Sequence, residues 1–214
     1  MTILFTQDFD IFPGKEDDFE KFIADYIPQC DRMGLPAVGG FYVEVGFGPR
    51  IVGIRKTNSL DDLYRVMAGT PFKESLLELK KYVINYQSKV LEPTGRVKHE
   101  GYEIQKGVWK YNQYYDLIPG KKKEYADFVM NEHLPTLQKI DYLEVTGGWN
   151  VVIGGFSEIV TEFTFKSPID IGRMLDNEDF KRITRKLRLN YVLNFKSRIM
   201  RTTERFEEPR WYRL

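Results

Sequence analysis

The sequence predicts an α+β fold made of two tandem β-α-β-β-α-β units, and three observations carry that prediction. The first is an internal repeat. Asp10-Ile11-Phe12-Pro13-Gly14-Lys15, followed by Phe19 and Phe22, returns as Asp116-Leu117-Ile118-Pro119-Gly120-Lys121, followed by Tyr125 and Phe128, at an offset of 106 residues. The offset reaches 108 by Gly39-Gly40-Phe41 against Gly147-Gly148-Trp149, as a loop that changed length after duplication would produce. The second is length: 214 residues fit two domains of about 100. The third is periodicity, which switches between strand-like and helix-like in the same order in both halves.

Each half opens with a strand. Ile3, Phe5, Phe9 and Ile11 alternate on one side of the first, and Trp109, Tyr111, Tyr115 and Leu117 on one side of its counterpart, Val108 to Leu117. Pro-Gly breaks each strand and a charged turn opens a helix. Phe19, Phe22, Ile23, Tyr26 and Ile27 form one helical face, matched by Tyr125, Phe128, Val129, Glu132 and His133. Pro28 and Pro135 are expected to close or kink these helices. A β-hairpin follows, turning through Gly46-Phe47-Gly48-Pro49 in one half and Gly154-Gly155-Phe156-Ser157 in the other. Ser59 and Ser167 have the character of N-caps for a short helix. A longer helix is expected from Phe72 to about Tyr86 and from Phe180 to about Phe195, then a last strand over Lys89 to Thr94 and Arg198 to Thr203. The expected boundaries are residues 1–96 for the first unit, 97–107 for a polar linker, 108–206 for the second unit and 207–214 for a tail.

The order β-α-β-β-α-β is the ferredoxin-like arrangement, an antiparallel sheet with helices on one face. The other face also carries apolar positions and needs cover, so the two sheets are expected to pack face to face within one chain. Composition bounds the rest. Cys30 stands alone, which excludes an intrachain disulfide and favours a reducing, cytoplasmic setting. The N-terminal residues lack a secretory pattern, and no apolar run approaches the roughly 20 residues of a membrane span. A formal charge of +1 argues against a generally basic nucleic-acid binder, and neither hairpin carries an RNA-recognition signature. Residues 181–214 nevertheless hold eleven Lys/Arg against three Asp/Glu, a solvated helix face or an anion-attracting rim.

Pro13-Gly14-Lys15 and Pro119-Gly120-Lys121, each with an aromatic one turn into the next helix, resemble the opening of domains in the dimeric α/β-barrel superfamily. Its antibiotic-monooxygenase-like, NIPSNAP-like and EthD-like members start this way. His133-Leu134-Pro135 is similar to the His-x-Pro that ends the first helix of EthD-like domains, whereas the first half has Tyr26-Ile27-Pro28. The resemblance implies an intrachain dimeric α/β-barrel with a mostly apolar pocket for a small organic molecule. It also implies cofactor-independent monooxygenase, cyclase or isomerase action on an aromatic or polyketide-like compound. The alternative is a non-catalytic ligand-binding or oligomer-assembly module, which a packed interior or a His133 buried among apolar groups would favour.

Among candidate site residues, His133 titrates near neutrality and lies on an apolar helix face, so it is the expected acid/base residue; a structural core histidine is the rival reading. Gln7 and Gln113 occupy equivalent strand positions among apolar neighbours, as a structural bridge or as ligand contacts. Tyr42, Trp149, Tyr114 and Asn112 are candidate pocket lining. Asp10 and Asp116 are expected to brace turns, and His99 in the linker to be incidental. Two distant histidines and one cysteine give no metal-ligand spacing, so no metal and no cofactor is expected; a haem on His133 is a minor alternative. The expected partners are a small apolar or aromatic molecule and a second copy of the chain as a homodimer, with neither nucleic acid nor membrane.

Overall fold

The computed structural model describes residues 2–97, Tyr102 and residues 108–203; His99, most of the expected linker and the expected tail lie outside them. The first half runs β1 (Ile3–Ile11), α1 (Glu16–Arg32), β2 (Ala37–Gly46), β3 (Ile51–Thr57), α2 (Leu60–Ala68), α3 (Thr70–Leu79) and β4 (Val83–Pro93). The second runs β5 (Trp109–Leu117), α4 (Lys122–Phe128), a π-helical turn (Val129–His133), α5 (Leu134–Leu137), β6 (Glu144–Gly154), β7 (Ile159–Phe165), α6 (Pro168–Asp176), α7 (Glu178–Asn190) and β8 (Val192–Thr202).

The eight strands close into one barrel in the order β1-β3-β2-β8-β5-β7-β6-β4, with antiparallel pairing throughout. Each half supplies four consecutive strands. The halves are joined where β2 pairs with β8 and β4 with β6. Closure removes the open sheet edges that would otherwise invite aggregation, and it sets the two inner faces opposite each other.

Strand alternation then sorts the side chains. Ile3, Phe5 and Phe9 of β1 point outward, where Leu35, Leu63, Phe72, Phe19 and Tyr26 cover them. Tyr111 and Tyr115 of β5 point outward under Phe128, Leu137, Phe180, Ile183 and Leu187. Inward-facing Leu4, Phe41, Val52, Leu91, Tyr114, Trp149, Val160 and Met200 form a separate cluster inside the barrel. There are thus helix–sheet layers outside and a packed interior within.

Two expectations are corrected. The long helices end at Leu79 and Asn190, while Tyr86 and Phe195 lie in strands. Pairing with the full length of the half's first strand decides this, Ile11 opposite Val83 and Leu117 opposite Val192, so the non-local ladder outweighs the helical pattern. Helix α1 also continues past Pro28 to Arg32, anchored beyond it by fully buried Cys30.

Asp10 and Asp116 brace turns in the same way in both halves. Each accepts from the backbone N–H after a hairpin turn (Arg50, 2.8 Å; Glu158, 2.9 Å) and from an asparagine amide (Asn85, 2.8 Å; Asn194, 2.8 Å). Those asparagines sit at φ 54° and 53°, the left-handed region they tolerate best after glycine. Asp10→Ala and Asp116→Ala are each expected to cost about 1–2 kcal/mol, read as a fall in urea midpoint without change in m. Unequal losses in the two halves would show that the repeat does not share this brace.

Candidate functional site

The first-half layer shows what its equivalent in the second half lacks. Gln7 on β1 is 2% exposed, and its amide donates to the hydroxyls of Tyr26 (3.1 Å) and Tyr86 (3.0 Å). The Arg55 guanidinium donates to the Gln7 oxygen (3.4 Å), donates to the Leu35 carbonyl (3.0 Å) and lies 5.0 Å from the Tyr26 ring centroid. Burial raises the Tyr26 phenol well above its usual range, so it stays protonated. Gln7 is a satisfied structural bridge.

Ring packing identifies the equivalent positions. Phe22 stacks on Tyr82 and on Tyr26, both at 5.1 Å; Phe128 stacks on Tyr191 at 4.6 Å and packs against His133 at 5.6 Å. The π-helical turn inserts one residue after Phe128, so His133, rather than Glu132, takes the place of Tyr26. Tyr86 is replaced by Phe195 and Arg55 by Phe163. Every polar partner of Gln7 is thereby absent around Gln113. The Gln113 side chain, on a residue 0% exposed, has neither its nitrogen nor its oxygen hydrogen-bonded, and His133 Nε2 and Thr184 Oγ1 are also without partners. Desolvation lowers the His133 pKa to about 4, and the ring is neutral at pH 7. Orphaned buried groups of this kind call for a water or a ligand, and π-turns occur often at functional sites.

The other candidates do not join this layer. Asn112, Tyr114 and Trp149 point into the barrel, with Trp149 edge-on to Tyr102 at 5.2 Å and Tyr114 edge-on to Phe47 at 5.2 Å. Tyr42 is half-buried on the outer side of β2, under the guanidinium of Arg201 at 4.8 Å. The seven residues therefore fall at separate places: Gln113 and His133 share the outer layer, where the Tyr115 hydroxyl is paired with Tyr125 and Thr161 but the Gln113 amide and His133 Nε2 are not, while Asn112 Oδ1 is unpartnered inside the barrel. Interior lining by rings and a helical histidine both match the residue types, but spacing alone could not assign strand faces.

The barrel interior holds charged groups that sequence reasoning missed. Lys110 pairs with Glu162, both 2% exposed; Tyr102 donates to Glu162 at 2.9 Å, as does Thr146. Desolvation pulls the Lys110 pKa down against the attraction of Glu162. Asp8, 0% exposed, pairs with Lys89 (2.9 Å) and Arg198 (2.8 Å). Comparing the halves residue by residue would have singled out Asp8, because its counterpart is Tyr114. Among the described residues no group of His, Cys, Asp and Glu is placed to hold a metal ion, and no helix is long and apolar enough to cross a membrane.

No family model matches the sequence. No curated protein matches it in sequence either. Solved structures do match. A protein described as a monooxygenase from Lactobacillus acidophilus NCFM superposes with TM-score 0.63 at 9% identity, covering 93% of this chain and 92% of the other. An anthrone oxidase-like protein gives 0.61 at 13%, covering 94% and 91%. A heme-binding protein from Thermus thermophilus gives 0.52 at 13%, covering 95% and 91%. At such identities the shared property is the fold, end to end: this chain has the tandem ferredoxin-like α/β-barrel architecture of these structures.

Proposed function

We propose that the second half binds a small phenolic molecule in its helix–sheet layer, between Gln113 and His133. The carrying observation is the loss, around Gln113 alone, of every hydroxyl and guanidinium that satisfies Gln7. The first half carries its own phenol, Tyr26, at the matching place. A ligand phenol there would accept a hydrogen bond from the Gln113 amide and donate one to neutral His133 Nε2. Its ring would meet the apolar layer of Phe128, Tyr111 and Phe163.

Positioning is better supported than proton abstraction. With the imidazolium near 4 and an ordinary phenol near 10, transfer to His133 is uphill by about six pKa units, roughly 8 kcal/mol. Oxygenase, cyclase or isomerase chemistry of the kind named for structural neighbours would need a more acidic substrate, such as an enolisable ketone or polyhydroxylated ring. A haem does not fit. His133 offers a neutral nitrogen, but a porphyrin would have to displace the mutually packed rings of Phe128, Tyr191, Tyr111, Phe163 and Phe180.

Calorimetric titration with 1-naphthol and with its methyl ether tests the proposal. Naphthol is expected to bind and the ether, which cannot donate to His133, to bind about tenfold more weakly. The variant His133→Tyr/Phe195→Tyr supplies counterparts of the two tyrosines that bind Gln7 and is expected to bind neither compound while melting higher than the parent. Unchanged naphthol binding in that variant, or none in the parent, removes the assignment.

A further inference from the structure

The barrel mouth framed by the two β-hairpins has a charge imbalance that the repeat makes visible. Lys89 on β4 and Arg198 on β8 occupy equivalent positions at an offset of 109 residues, and both point inward. In a symmetric barrel each would face its own acid. Here the acid of one half is Asp8, and the second-half residue at its place is Tyr114. The single carboxylate oxygen Oδ2 of Asp8 therefore serves both cations, Lys89 at 2.9 Å and Arg198 at 2.8 Å. A third cation, Lys196, is exposed at the rim with its ammonium 5.3 Å from the centroid of the Phe47 ring, and among the described residues no other acid lines this mouth.

Arg198 is held in place and only partly used. Its side chain is 3% exposed, its guanidinium lies 4.4 Å from the Phe47 ring centroid and 5.3 Å from that of Tyr114, and its Nε has no hydrogen-bond partner. Gly48 in the β2–β3 hairpin, at φ 76°, admits this close approach where a side chain would collide with the guanidinium. A cavity of about 30 Å³ lies here, lined by Lys89, Tyr114, Lys196 and Arg198 together with Phe47 and exposed Phe156. That volume holds one small polar group. The arrangement asks for an anionic head to replace the missing second carboxylate and an apolar body to lie against the hairpin rings.

We propose that this mouth binds an aromatic monocarboxylate, its carboxylate received by the Arg198 guanidinium and the Lys89 and Lys196 ammonium groups, its ring seated between Phe47 and Phe156. The site lies inside the barrel end, whereas the phenol site lies outside the sheet under the helices, so the two are independent. The test is calorimetric titration of benzoate at low ionic strength, with benzyl alcohol and inorganic phosphate as comparators. Benzoate is expected to bind, and benzyl alcohol and phosphate each to bind at least about tenfold more weakly. Lys196→Glu, a rim substitution that leaves the Asp8 cluster intact, is expected to weaken benzoate about tenfold or more. Tyr114→Asp supplies the missing acid and is expected to abolish binding. His133→Tyr is expected to leave benzoate binding unchanged, which separates this site from the helix–sheet layer. The proposal is overturned if benzoate does not bind, if phosphate matches it, if its affinity survives Lys196→Glu, or if it is lost in His133→Tyr.

Discussion

Glu162→Ala is expected to destabilise the protein by about 3–5 kcal/mol. Both members of the Lys110–Glu162 pair are withdrawn from water, and Glu162 also accepts from Tyr102 and Thr146. Removing the carboxylate strands an ammonium among Phe41, Tyr102 and interior strand residues, with both rings under 6 Å away. Desolvation already lowers the Lys110 pKa, so the variant is expected to keep that lysine neutral rather than tolerate its charge. The double variant Lys110→Met/Glu162→Leu is expected to recover most of the loss, because an apolar pair of similar volume replaces a buried ion pair at little net cost. Urea unfolding of the parent, single and double variants decides it: a double variant as unstable as the single one would place the effect in packing or in the Thr146 and Tyr102 hydrogen bonds.

His133→Gln is expected to remove a pH dependence worth roughly 3 kcal/mol. The native imidazole takes a proton only near pH 4, whereas the unfolded chain takes one near 6.5. Between those values the unfolded state binds more protons, so falling pH favours unfolding. The His133 contribution to stability is complete above pH 6.5, is lost progressively as pH falls, and loses no more below about 4. Carboxylates elsewhere add their own acid sensitivity to both proteins, so the measurement is the difference between parent and His133→Gln at each pH. A difference that stays flat from pH 7 to 4 would mean that His133 is solvated or charged in the native state. A bound phenol donating to Nε2 is expected to hold the imidazole neutral to still lower pH.

The repeat made much of this fold readable. Element order, the Pro-Gly break after each first strand, the serine caps of α2 and α6 and the aspartate braces all follow from residues that recur in both halves. The lengths of β4 and β8 did not, because Tyr86 and Phe195 fit a helical stripe as well as a strand, and only the partner strand chooses. The site was legible in part. His133 and Gln113 stood out as types, but their relation depends on a one-residue π insertion that brings His133 to the place of Tyr26. Asp8, Lys89, Arg198, Lys110 and Glu162 were unreadable as a group, since they come from five different strands.

By itself, the sequence determined what is local or duplicated: the secondary-structure order, the alternation that gives each strand two faces, and the differences between halves. Tertiary structure decided which face turns inward, how β2 meets β8 and β4 meets β6, and which buried polar groups find partners. The reason is physical. Local pattern sets backbone conformation over a few residues, whereas hydrogen-bond satisfaction inside a barrel depends on atoms brought together from strands up to 190 residues apart, as Asp8 and Arg198 are.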